Sequence, residues 1–138
     1  KKLFLNPTSL DELSWLLRRG GLFAGIHPEG TRKQDDDPYT FLPAQRGVGR
    51  IIQGARVPVI PVFINGLIND FARQIESNFD STGKEIHVVF GKPIDFGTLL
   101  DEPANARTEQ AIADHVMQVV SELGQEEKRL RAERQHKP

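Results

Sequence analysis

A short segment near the start of the chain combines side chains that could bind a phosphate. Residues 25–32 are Gly-Ile-His-Pro-Glu-Gly-Thr-Arg, which brings a carboxylate, a hydroxyl and a guanidinium close together in the chain. Arg32 can hold a phosphate through paired parallel hydrogen bonds, and the Thr31 hydroxyl can add another. Glu29 is a less obvious ligand for an anion, so we expect it to orient Arg32 or to bond backbone amides of the turn. The alternative is an ordinary strand-to-loop turn with a surface ion pair.

The elements on either side of this segment would position it. Residues 22–26 form an apolar run that is too short for a helix and predicts a buried strand. Pro28 and Gly30 then favour a tight turn at the end of that strand, where ligands collect in open α/β sheets. A polar loop over residues 32–43 follows, and residues 45–55 are predicted as a helix because their large apolar side chains fall on one face.

The rest of the chain continues the alternation of helices and strands. The other predicted elements are a helix over residues 9–19, a strand over 57–64, a short helix over 68–75, a strand over 86–90 and a helix from 108. Ser9 and Thr108 are the predicted N-caps. This alternation predicts an α/β domain with a mainly parallel sheet and flanking helices. Because the predicted strands make a narrow sheet, we expect further strands in sequence that precedes Lys1.

Composition excludes several other classes of protein. The chain has 138 residues, which suits one domain, and its net charge of -1 gives no field that would attract nucleic acid. It contains no cysteine, so disulfides, thiolate catalysis and cysteine-ligated metal are excluded. Asp35-Asp36-Asp37 lacks the ligand spacing of a cation site and predicts a solvated loop. The strongly apolar stretch 57–69 is interrupted by proline and is shorter than the roughly 20 residues that span a bilayer.

Several blocks of the sequence resemble one enzyme family. Residues 28–32 resemble the Pro-Glu-Gly-Thr-Arg block of the glycerol-3-phosphate and 1-acylglycerol-3-phosphate acyltransferases, also called lysophospholipid acyltransferases. Arg46-Gly47 stands where that family has a basic residue and a glycine at the start of a helix. Residues 57–62 and 86–94 are similar to its later apolar block and to its next strand and turn. The order and spacing agree over most of the chain, from about residue 10 to 123, which is the C-terminal part of the family's catalytic domain.

The resemblance implies an activity and a binding site. It implies transfer of a fatty acyl group from acyl-CoA or acyl carrier protein to the hydroxyl of a glycerol-phosphate lipid, as in phospholipid biosynthesis. The residues implied to bind the acceptor phosphate are Glu29, Gly30, Thr31, Arg32 and Arg46. For Arg46, an ordinary surface charge is the alternative. No metal is implied, and no cofactor other than the acyl thioester, which is a co-substrate.

The resemblance also implies a cellular setting. The acceptor is a glycerol-phosphate lipid and the donor is an acyl thioester, so the expected partner is a membrane surface and not a nucleic acid. We expect association with the membrane at its cytoplasmic face, without a transmembrane segment in this chain. Residues 1–124 would form the C-terminal portion of the acyltransferase domain, and residues 125–138 a charged tail.

The chain departs from the family in its catalytic block. In the family, a His-x-x-x-x-Asp block supplies the base that deprotonates the acceptor hydroxyl, with the aspartate orienting the imidazole. The histidines here are His27, His87, His115 and His136, and none has an aspartate five residues further on. We therefore assign no catalytic residue in this chain. We expect an incomplete glycerolipid acyltransferase-like domain that is inactive alone, with its base in sequence before Lys1.

Two other functions remain open. The chain could be a non-catalytic module of acyltransferase-like fold that binds a phospholipid or its phosphate. It could also belong to a different α/β phosphate-binding enzyme in which the turn motif is coincidental. A His-x-x-x-x-Asp block in upstream sequence would select the acyltransferase, and intact upstream sequence without that block would select the binding module.

Overall fold

The computed structural model describes residues 7–31, 37–67, 71–79, 82–83 and 85–135. The elements in this part are the helices α1 (Pro7–Arg19), α2 (Arg46–Ala55), α3 (Phe71–Phe79) and α4 (Ala106–Gln135), the strands β1 (Val62–Asn65) and β2 (His87–Phe90), and a 3-10 turn over Leu99–Asp101. α2 packs against both α1 and α4, and α4 also contacts the two strands. The core therefore forms around α2 and α4.

Helix α1 begins earlier than predicted. Its first residue is Pro7, a position where proline is favoured because the missing N–H has no partner there in any helix. The predicted N-cap at Ser9 is therefore wrong. The predicted end is confirmed, because the helix stops at Arg19 and Gly20 follows in a left-handed conformation with φ 77°.

Helix α2 divides its apolar side chains between its two neighbours. Val48 and Ile52 pack with Ile112 and Val116 of α4 in one buried cluster. A second buried cluster joins Ile51 and Ala55 of α2 to Leu17 of α1. The predicted helix over residues 45–55 is confirmed within one residue, since the helix spans Arg46–Ala55.

The two described strands pair antiparallel. Val62 lies opposite Phe90, and Asn65 lies opposite His87. The predicted strand over 86–90 agrees with β2, whereas the predicted strand over 57–64 began too early. Pro58 and Pro61 have no N–H to donate, so regular pairing starts only after them.

Residues 59–61, which precede β1, are hydrogen-bonded to residues 91–94 through their carbonyl groups. The carbonyl of Val59 accepts a hydrogen bond from the Ile94 N–H at 2.9 Å, and the carbonyl of Pro61 accepts one from the Gly91 N–H at 2.9 Å. The segment of residues 91–94 is thus bound alongside residues 59–61. This one-sided pairing is what a proline-rich strand can form.

The predicted buried strand over residues 22–26 is wrong. These residues form no strand, and the Phe23 side chain is 94% exposed. Leu22 and Ile26 are exposed as well. An apolar run becomes a strand only where a second strand offers its backbone groups, and no described strand lies beside this one.

The fold class remains a prediction. Among the described residues the sheet has two strands, and they run antiparallel, so this part of the chain contains no parallel pair. The outer face of the sheet carries exposed apolar side chains at Val62, Ile64, Val88 and Phe90. An α/β domain with a mainly parallel sheet and flanking helices would require strands beyond those described.

Helix α4, over Ala106–Gln135, begins earlier than predicted. Asn105 caps it, since its side-chain oxygen accepts hydrogen bonds from the N–H groups of Arg107 and Thr108 at 2.9 and 3.0 Å, so the predicted Thr108 cap is wrong. The helix runs without a break to Gln135, past residue 124, after which the charged tail was predicted. The division of the chain into domains at that residue remains a prediction.

Two further predictions concern α3 and the membrane. The short helix predicted over residues 68–75 corresponds to α3 over Phe71–Phe79, while residues 68–70 lie outside the described part of the chain. Within the described ranges, no helix combines the length and the apolar character needed to cross a bilayer.

Candidate functional site

The predicted phosphate turn requires glycine at position 30 for two reasons. The Gly30 N–H donates to the His27 carbonyl at 3.0 Å and closes the turn. Gly30 has φ 68°, a left-handed conformation that side chains disfavour. A β-carbon there would also lie 2.7 Å from Cγ of Gln45. The turn is therefore pressed against the residue that precedes α2.

Two hydrogen bonds attach this turn to the chain that follows the loop. The Gln45 N–H donates to the Pro28 carbonyl at 2.8 Å. The Leu42 N–H donates to Oε2 of Glu29 at 2.6 Å. Together they join the two ends of the polar loop and place the turn at the N-terminus of α2.

Glu29 is a buried anchor within this arrangement. Only 8% of the residue is exposed. We expected its carboxylate either to orient Arg32 or to bond amides of the turn, and the amide that it bonds is that of Leu42, at the far end of the loop. Oε1 of Glu29 also lies 3.7 Å from Nε2 of His27, whose side chain is mostly exposed. A carboxylate held in this way supports the turn, and the role of Glu29 in the phosphate site remains a prediction.

Thr31 and Arg32 are the predicted phosphate contacts of the turn. Thr31 is exposed, as a ligand-binding hydroxyl needs to be. Arg32 lies outside the described residues. The roles of both in binding phosphate remain predictions.

Arg46 is the first residue of α2, beside the turn. Its Nε lies 3.3 Å from Oε2 of Glu109, a buried residue near the start of α4, and 54% of the Arg46 side chain is exposed. This ion pair was not predicted. It holds the guanidinium beside Glu109 of α4 while about half of the Arg46 side chain stays exposed, so a second anion could still reach this residue.

The N-terminus of α2 adds positive potential beside the turn. Helix N-termini carry partial positive charge and unpaired N–H groups, which favour anions. The first turn of α2 contains no acidic residue, and the side chain of Gln45, its N-cap, makes no capping hydrogen bond. The phosphate turn, Arg46 and this helix terminus therefore lie together.

A second polar cluster, which the sequence did not reveal, lies where Tyr39 of the loop meets Glu127 of α4. The Tyr39 hydroxyl donates to Oε2 of Glu127 at 2.7 Å, and Nδ2 of Asn65 donates to the same oxygen at 3.2 Å. Burial, and then the adjacent Glu127 carboxylate, raise the pKa of Tyr39 above its ordinary value. One signal was available: Glu127 continues the buried stripe of α4, four residues after Leu123.

A surface groove lies apart from the predicted site. Its volume is about 580 Å³, and its lining includes Phe90, Lys92, His115 and Glu122 but none of the predicted phosphate-binding residues that the structure describes. Among the described residues, no group of three or more histidine or acidic side chains could hold a metal ion. The assignment of an anionic ligand to the turn remains a prediction.

Two substitutions of Glu29 should distinguish its hydrogen bond to Leu42 from its negative charge. Glu29→Ala leaves the Leu42 N–H without its partner, so we expect the free energy of unfolding to fall by about 1–3 kcal/mol. Glu29→Gln retains an acceptor oxygen of the same reach and should lose less. Urea unfolding of both variants measures the difference. Equal stability of the alanine variant and the wild type would show that the Glu29–Leu42 hydrogen bond does not support the fold.

Comparison with known families gives one result. Residues 5–65 match the model of the Acyltransferase family. The matched segment runs from α1 through the turn and α2 to the end of β1, and it includes Glu29–Arg32 and Arg46. Comparisons with curated proteins and with solved structures found no match. The match supports acyl transfer in general, without a particular acceptor.

Proposed function

We propose that this chain supplies the acceptor-binding part of an acyltransferase that acts on glycerol-phosphate lipids. The acyl group would come from acyl-CoA or acyl carrier protein and would be transferred to a hydroxyl of the acceptor. The observation that carries the proposal is the turn over residues 28–31 of the Pro-Glu-Gly-Thr-Arg block, held at the N-terminus of α2 within a segment that matches the Acyltransferase family.

Each group at the turn has a part in this proposal. Thr31 and Arg32 would bind the acceptor phosphate, and the N-terminus of α2 with Arg46 would add positive charge beside it. Gly30 allows the backbone to make the turn, and Glu29 ties the turn to Leu42. Binding the phosphate would hold the acceptor hydroxyl in place for attack, and such positioning lowers the barrier to transfer.

The reaction itself needs a base. The acceptor hydroxyl attacks the thioester carbonyl, its proton passes to the base, and the thiol of the donor leaves. Residues 1–138 contain no His-x-x-x-x-Asp block, so in this proposal the base comes from outside them. The acylated product is a membrane lipid, as is the acceptor when it is lysophosphatidate, and we therefore propose that the enzyme works at a membrane surface on its cytoplasmic side.

An assay of the full-length protein tests this proposal. With a labelled long-chain acyl-CoA or acyl carrier protein as donor, we expect label to pass to glycerol 3-phosphate or lysophosphatidate. Transfer to monoacylglycerol, which lacks the phosphate, should be at least about tenfold slower, because a charge-assisted contact is lost. Residues 1–138 alone should show no transfer above a boiled control.

Two results would contradict the proposal. Equal transfer to phosphorylated and unphosphorylated acceptors would exclude the phosphate role of the turn. Binding of phosphatidate vesicles without any acyl transfer would favour the alternative, a non-catalytic phospholipid-binding module of acyltransferase-like fold.

A further inference from the structure

The second polar cluster connects α4 to the loop that follows the phosphate turn. We name it the Tyr39 clasp, and its members are Tyr39, Asn65, Glu127 and Arg131. Arg131 donates a hydrogen bond to the Tyr39 hydroxyl, which in turn donates to Glu127 at 2.7 Å. Nδ2 of Asn65 donates to the Tyr39 oxygen at 3.2 Å.

The carboxylate at the centre of the clasp is almost fully enclosed. The Glu127 side chain is 3% exposed, and Nε of Arg131 lies 3.6 Å from its Oε1. A buried carboxylate is costly unless hydrogen-bond donors and positive charge surround it. Tyr39, Asn65 and Arg131 provide these, so the loop residue Tyr39 is one of the groups that allow Glu127 to be buried.

The ring of Tyr39 is also held in place by contacts with other side chains. It stacks on Phe63 of β1 with ring centroids 5.8 Å apart, and Phe41 meets the Phe63 ring edge-on at 6.3 Å. Nζ of Lys128 lies 5.0 Å from the Tyr39 ring centre. The Tyr39 N–H donates to Oδ1 of Asp37 at 3.1 Å. Residues 37–41 are therefore attached to both the sheet and α4.

The clasp and the phosphate turn share one short stretch of chain. Tyr39 is held by Glu127, and three residues later the Leu42 N–H is held by Glu29 of the turn. A displacement of Tyr39 would pass through residues 40 and 41 to this hydrogen bond. Glu127 is thus connected to Glu29 through residues 39–42, a segment that is hydrogen-bonded at both ends.

We propose that Tyr39 and Glu127 are positioning residues for the acceptor phosphate, acting through Leu42 and Glu29 on the phosphate turn. This inference rests on the proposed function. It assigns a role to the charged end of α4, which the sequence indicated as a tail, because Glu127 and Arg131 are part of that end. Glu127 and Arg131 both lie outside the segment that matches the family model, which stops at residue 65.

Tyr39→Phe tests the proposal with little disturbance. It removes the hydroxyl and leaves the ring stacked on Phe63, while Asn65 and Arg131 still surround Glu127. In the full-length protein, hydrogen exchange at the Leu42 amide should accelerate about three- to tenfold. The KM for lysophosphatidate should rise about threefold or more, with a smaller change in kcat. A loss of general stability alone would not produce this split.

Glu127→Gln is the second variant, and it should change Leu42 exchange and the acceptor KM in the same direction as Tyr39→Phe. Glu126→Gln is its matched control, because it removes the same charge from the adjacent, exposed residue of α4. The control should leave both measurements unchanged. The KM for the acyl donor should stay constant in all three variants.

The outcomes separate this inference from the proposed function. If the protein transfers acyl groups but both clasp variants keep wild-type Leu42 exchange and acceptor KM, the inference is wrong and the proposed function stands. If Leu42 exchange accelerates but the wild-type protein transfers no acyl group, the proposed function fails and the role in acceptor binding fails with it.

Discussion

Gly49→Ala is expected to destabilise the fold by about 2 kcal/mol or more, although alanine favours helices. Gly49 lies in α2 where this helix crosses α4, and a β-carbon there would lie 1.7 Å from the backbone oxygen of Glu109. That oxygen cannot rotate away as a side chain could, so the two helices would have to separate. Overpacking of a core typically costs about 1–3 kcal/mol, and this contact is at the severe end of that range. The gain in helix propensity, about 1 kcal/mol, offsets only part of it.

Gly47→Ala provides the matched control in the same helix. A β-carbon at this position would meet the tip of the Leu10 side chain, with Cδ1 at 3.3 Å and Cδ2 at 3.8 Å, and the tip of a leucine can shift by the small amount required. The helix propensity of alanine should then dominate, and stability should stay equal or rise by up to about 1 kcal/mol. The change in the free energy of unfolding should therefore differ in sign between Gly49→Ala and Gly47→Ala.

Urea unfolding of the wild type and both variants measures this difference, with equal m-values indicating that the unfolded state is unchanged. Equal midpoints for Gly49→Ala and Gly47→Ala would mean that α2 and α4 do not cross at Gly49. The ion pair between Arg46 and Glu109 crosses the same interface, so such a result would also contradict the position of Arg46 beside Glu109.

Local signals in the sequence predicted α2 well. Val48, Ile51 and Ile52 repeat at helical spacing, and the structure buries all three. The same reasoning failed for residues 22–26, where an apolar run suggested a buried strand. A helix satisfies its own backbone, so its pattern is sufficient, whereas a strand depends on a partner that may be far away in the chain.

The polar contacts of the site could not be predicted from spacing. Glu109 and Glu127 fall on the inner stripe of α4, but their burial depends on Arg46 and Tyr39, which are distant in the sequence. A carboxylate within an apolar stripe indicates a partner without identifying it. By contrast, the turn at Gly30 could be predicted from local chemistry, because Pro28 cannot continue a strand ladder and glycine tolerates the positive φ that Gly30 adopts.

Arg32→Ala should produce the largest loss of activity among the substitutions considered. If Arg32 binds the acceptor phosphate, the variant loses a charge-assisted contact that contributes about 1.5–3 kcal/mol. In the full-length protein, kcat/KM for lysophosphatidate should then fall by about tenfold to more than a hundredfold. The anchors at Gly30, Leu42 and Gln45 do not use the Arg32 side chain, so urea unfolding should remain close to that of the wild type.

Two further variants show whether geometry or charge matters. Arg32→Lys retains the charge but not the planar pair of donors, so it should recover only part of the activity. Arg18→Ala, at an exposed position of α1, removes the same charge away from the turn and should leave kcat/KM unchanged. Full recovery with lysine would indicate that only net charge is needed at this position.

The acceptor dependence of the Arg32→Ala defect decides its cause. Hydrolysis of the acyl thioester requires no acceptor phosphate, so this side reaction should be affected much less than transfer. Transfer to an unphosphorylated acceptor should already be slow and should not slow further. If Arg32→Ala instead impaired hydrolysis and transfer equally, with an unchanged acceptor KM, Arg32 would support the fold of the turn and the phosphate would have to be bound by other groups. Arg46 and the N-terminus of α2 would then be the first positions to examine, because Gln45, the N-cap of α2, is hydrogen-bonded to the turn at Pro28 and Arg46 follows it.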